Sequence, residues 1–75
     1  MTTARFGIKP AYVEKLDTVR RWAVNLKLAD LAVQCDFSQF ITAEEVQFTC
    51  SAADAENVWR ITKMAFGDYA AARLE

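Results

Sequence analysis

The chain has 75 residues, 53% of them apolar, with five Phe, two Tyr and two Trp, no His, and a formal net charge of −1. Disorder, which needs low hydrophobicity or high net charge, is excluded, and the length suits one small domain over residues 1–75. No apolar run reaches the roughly 20 residues of a membrane span and the N-terminus lacks a signal-peptide core, so a cytoplasmic protein with no membrane partner is expected.

Segment 3–8 is available as a short strand with Phe6 and Ile8 on one side. Pro10 suits the first turn of a helix, and Tyr12, Leu16, Val19, Ala23 and Leu26 recur at spacings of four and three, which predicts an amphipathic helix over 10–27. Asp17 and Arg21 can pair at i,i+4 on its outer face. Two stretches then echo each other: Val33-Gln34-Cys35-Asp36-Phe37-Ser38 and Val46-Gln47-Phe48-Thr49-Cys50-Ser51 both alternate apolar with polar. Strict alternation marks a half-buried strand. A hairpin turning near 41 and 42 sets Cys35 opposite Phe48 and Val33 opposite Cys50. No Gly, Pro or Asn marks that turn, and Thr42-Ala43-Glu44-Glu45 equally suits the start of a short helix.

The last element is a helix. Ser51 and Asp54 suit its start, and Ala55, Val58, Trp59, Thr62, Ala65, Phe66 and Tyr69 form its apolar stripe. Glu56 and Arg60 are spaced to pair outside the stripe, and Gly67 marks a kink, a frayed end or a close contact. The fold class expected is α+β: a β-hairpin against two amphipathic helices, with 3–8 as a possible third strand or a second subunit along the hairpin edge. An all-α domain is the alternative, because Leu28, Leu31, Ala32 and Cys35 also fit helical spacing. Leu74-Glu75 reads as a cloning remnant.

The chemistry is defined by what is missing. Without His there is no ordinary general base near neutral pH and no Ser–His or Cys–His nucleophile. Neither Gly belongs to a phosphate-cradling motif. Two Cys without His make a poor metal site, and their diagonal register makes a poor disulfide. The expectation is therefore a protein that is not an enzyme and carries no cofactor or metal.

Charge is asymmetric. Through residue 28 six basic residues face two acidic ones, for +4; from residue 29 three basic face eight acidic, for −5. Lys15, Arg20, Arg21 and Lys27 are candidate steering residues for a charged partner. Trp22, Phe40, Ile41, Ile61 and Met64 fall outside the core patterns and are candidate partner-binding residues, aromatics and Met being common interface anchors. These features fit a non-catalytic protein-interaction module, a homodimer acting as adaptor or inhibitor by occupying a partner protein's surface, of the kind phages and mobile elements encode. A nucleic-acid-binding transcriptional regulator is the alternative. As a helix-turn-helix, residues 28–48 would put Glu44 and Glu45 and no Arg or Lys on the recognition helix, and a double-stranded-RNA binder would want lysines where Asp54 and Glu56 open the last helix.

Overall fold

In a computed structural model, which describes residues 3–9, 16–42 and 44–74, the chain forms a four-stranded antiparallel sheet with helices against one face. The elements in order are β1 (Thr3–Ile8), α1 (Leu16–Leu28), β2 (Val33–Cys35), α2 (Gln39–Thr42), β3 (Val46–Ser51), a 3-10 turn (Ala52–Asp54), α3 (Ala55–Ala70) and β4 (Ala71–Arg73). The fold is α+β and not all-α. Sheet order is β2-β3-β1-β4, so β3 lies between β1 and β2, and β1 between β3 and β4. This is the interleaved split β–α–β arrangement.

Alternation decides which side each strand buries. Ala4, Phe6 and Ile8 of β1 and Val46, Phe48 and Cys50 of β3 face the helices. The six-residue register runs from Thr3 opposite Ser51 to Ile8 opposite Val46. The hairpin register read from the echo forms as expected, Val33 opposite Cys50 and Cys35 opposite Phe48. Segment 3–8 is more than an optional third strand: β1 fills the edge of β3 that a second subunit was expected to cover. The fourth strand was not foreseen. β4 sets Ala71 opposite Ile8 and Arg73 opposite Phe6. Strand β2 is shorter than the alternating stretch 33–38, since only three of its residues pair.

The C-terminus of α1 carries backbone strain. Leu31 N–H donates to Leu26 C=O at 2.9 Å and Asp30 N–H to Lys27 C=O at 3.0 Å, a Schellman closure that puts Asp30 in the left-handed region at φ 59°. Glycine is the usual residue there, and a carboxylate at the negative end of the helix dipole is unfavourable. Asp30→Gly should therefore raise stability by about 1 kcal/mol in urea titrations, with Asp30→Asn recovering the charge component alone. A lower midpoint for Asp30→Gly would contradict this account of the turn.

The core is aromatic. Trp22 lies with ring centroids 5.0 Å from Phe48, 5.5 Å from Phe66 and 6.2 Å from both Phe37 and Phe40. Phe6 stacks on Phe48 at 5.2 Å and on Trp59 at 5.5 Å, so every Phe and Trp of the chain joins one network. The indole Nε1–H donates to Thr62 Oγ1 at 3.0 Å, and that hydroxyl donates to Val58 C=O at 2.8 Å. The helical face of α1 is rotated from the expected stripe. Among its described side chains Val19, Trp22 and Leu26 are buried while Ala23 is half-buried, because the large indole, not alanine, takes the central place. Tyr12 and the proposed start at Pro10 lie outside the described residues.

On α3 the expected stripe holds for Ala55, Val58, Thr62 and Phe66, which are buried, and for Trp59 and Ala65, which are half-buried. Ser51 caps the preceding 3-10 turn by accepting from Ala53 N–H at 3.3 Å. The expected surface pairs change partners. Glu56 binds Arg73 at 2.6 Å, tying β4 to α3, and Asp17 meets Arg20 at 3.8 Å instead of Arg21. Gly67 is a kink, at φ 79° and ψ 176°.

Candidate functional site

The turn without Gly or Pro proves to be built by Asp36. Its Oδ1 accepts from Ser38 N–H at 3.1 Å and from Ser38 Oγ at 2.7 Å, an Asx turn. Those two bonds hold the Asp36 carboxyl below its usual pKa, so it is ionised at neutral pH. Three successive backbone bonds, Gln39 N–H to Asp36 C=O, Phe40 N–H to Phe37 C=O and Ile41 N–H to Ser38 C=O, then wind residues 36–41 into helical turns beside α1.

Between that segment and α1 lies an apolar groove of about 210 Å³, lined by Val19, Arg20, Ala23, Phe37, Phe40 and Ile41. Phe40 is buried in its floor, while Phe37 is 48% and Ile41 77% exposed. The i,i+4 row Arg20-Val24-Leu28 carries apolar surface outward along α1, with Val24 53% and Leu28 80% exposed. Lys27, seven residues after Arg20, falls on the same flank by helical periodicity.

The candidate partner-binding residues separate. Phe40 and Ile41 share the groove. Trp22 is fully buried and hydrogen-bonded, so its surface is taken up inside the fold; this corrects its assignment to a partner surface. Ile61 is half-buried and packs on the core. Met64 is 81% exposed and lines a different hollow of about 180 Å³, with Thr18, Arg21, Asn25 and Ala65, on the opposite flank of α1. Of the steering residues, Arg20 lines the groove, Arg21 the second hollow, and Lys27 a third of about 230 Å³ with Asp30. Lys15 lies outside the described residues. The sequence pattern missed Phe37 as a groove residue, and the Asp36-Phe37-Ser38 turn was the signal that would have exposed it.

The remaining surfaces carry less chemistry. Among the described residues, the helix-free face of the sheet presents Thr3, Arg5, Gln34, Gln47, Thr49, Ser51 and Ala72, and no aromatic ring on which a nucleic-acid base could stack. The segments weighed as a helix-turn-helix are strands β2 and β3 with the four-residue α2 between them. Both thiols are free. Burial, then the Asp36 charge, pushes the Cys35 thiol up to about 11; burial and Asp54 push Cys50 up, against Arg73. Thiols so held are neutral and poor nucleophiles near pH 7. Among the described residues no three His, Cys, Asp or Glu side chains gather as a metal site, and no helix is long and apolar enough to cross a membrane.

No protein-family model matches the chain, and no curated protein or solved structure matches it either.

Proposed function

We propose that this chain is a non-catalytic protein-interaction module of adaptor or inhibitor type, working in the reducing cytoplasm by docking protein surface in the groove between α1 and residues 36–41. The observation that carries the proposal is Ile41, a large aliphatic side chain 77% exposed on the lip of an apolar groove. Exposed apolar surface set beside a concave apolar floor is what a protein-binding patch requires, and the adjacent Arg20 gives it a charged rim. The absence of His and the neutral state of both thiols favour occupation of a surface over turnover.

The immobilised full chain, exposed to host-cell lysate, should retain proteins, further copies of this chain included, that an Ile41→Asp variant releases and a Met64→Asp variant keeps. Both substitutions are at exposed positions and should leave the circular dichroism melt unchanged. Retention of the same proteins by Ile41→Asp would remove the groove as the docking surface.

A further inference from the structure

One patch of this surface holds both a hole and a projection. The groove has about 210 Å³ of room, more than the roughly 150 Å³ of an apolar cavity that takes up benzene, so a branched aliphatic side chain fits it. Ile41 stands exposed on its lip; being part of the wall, it does not fill the groove it borders. An isologous interface requires one patch to be complementary to itself, each copy giving what the other receives.

The charges around the groove meet the same requirement. The α1 wall carries Arg20, with Lys27 two turns further along that flank. The opposite lip begins with Asp36, an anion fixed in place by its two bonds to Ser38. A two-fold axis near the lip sets the cationic wall of each copy against the anionic start of the lip of the other. Arg20 does contact Asp17 at 3.8 Å, but the two side chains are 80% and 83% exposed, and an ion pair so open to water holds Arg20 weakly. The chain-wide division, +4 through residue 28 and −5 beyond it, has the same sense.

We infer that the occupant of the groove is a second copy of this chain, the Ile41 side chain of each protomer entering the other's groove, with Arg20 of each facing Asp36 of its partner. The inference rests on the groove being a protein-docking surface and names what docks there. Val24 and Leu28 extend the contact along α1, which helps it approach the roughly 800 Å² per partner of a stable interface. Met64 lies outside it, on the other flank of α1.

Sedimentation equilibrium and light scattering of the full chain at micromolar concentration test this. The wild type and Met64→Asp should be dimers, and Ile41→Asp a monomer with an unchanged far-UV spectrum and melt. Arg20→Glu alone and Asp36→Lys alone should each weaken self-association at least about tenfold. An equimolar mixture of the two variants should recover a dimer, because the mixed pair sets the new anion against the new cation and leaves the native Arg20 and Asp36 facing one another. Asp36→Asn, which keeps the acceptor for Ser38, separates loss of the turn from loss of charge. A folded wild-type monomer, a dimeric Ile41→Asp, or a mixture that stays monomeric would each overturn the second-copy inference. If the wild type is a monomer yet retains other proteins that Ile41→Asp releases, the groove is still a docking surface and only its occupant is wrong; if nothing is retained through the groove, both fall.

Discussion

Trp22→Ala should bring this domain close to unfolding at room temperature. The indole is wholly buried against four phenylalanines, and removing a core Trp typically costs about 3–5 kcal/mol. At roughly 0.05–0.15 kcal/mol per residue, a domain this small has only about 4–11 kcal/mol in all. The loss has two separable parts. Thr62→Val removes the acceptor and leaves a buried indole N–H without a partner, at about 1–3 kcal/mol. Trp22→Phe removes the donor but most of the apolar volume stays. In the double variant Trp22→Phe with Thr62→Val no indole N–H is left unpaired, so its cost should fall well short of the sum of the two singles. Urea unfolding followed by far-UV circular dichroism measures all four. Strict additivity would deny the hydrogen bond, and a Trp22→Ala protein as stable as wild type would place the indole outside the core.

Gly67→Ala is expected to cost about 1–3 kcal/mol although nothing lies within 4 Å of where the new methyl would sit. The cost is conformational: φ 79° with ψ 176° is a region that L side chains essentially do not enter. An alanine relaxes by continuing the helix, and the chain then no longer turns to lay Ala71–Arg73 along β1. Amide exchange at Leu74, whose N–H donates to Arg5 C=O at 2.9 Å, should accelerate before the rest of the sheet is affected. d-Alanine at position 67, introduced by chemical synthesis, accepts positive φ and should restore most of the stability. If L-alanine is as well tolerated as the d form, the bend is not held by backbone conformation.

That bend also shows where local pattern stops being informative. Strand β3 and the stripe of α3 were readable because each is a run of five or more residues with one clear period, and the three-pair β2–β3 register because it follows from two such alternating runs. Ala71, Ala72 and Arg73 have no strand pattern and favour helix; they are extended because Gly67 turns the chain and β1 offers a free edge, a contact with residues more than sixty positions away. Trp22 was misplaced for a related reason. Periodicity counts positions, whereas burial is decided by which side chain fills the space under Phe48 and Phe66, and the indole displaced Ala23 from the centre of the face. The groove was half legible: Phe40 and Ile41 stood out as apolar residues in a connection, but the structure that presents them depends on Asp36 and Ser38, ordinary residues whose significance lies in their spacing.

The central position of β1 sets the order in which this protein can be completed. Phe6 and Ile8 precede both of their neighbours in the chain, so one flank of their strand waits for residue 51 and the other for residue 73. During synthesis β1 therefore stands uncovered until both later strands have emerged, and its apolar side chains stay open to misassociation in the meantime.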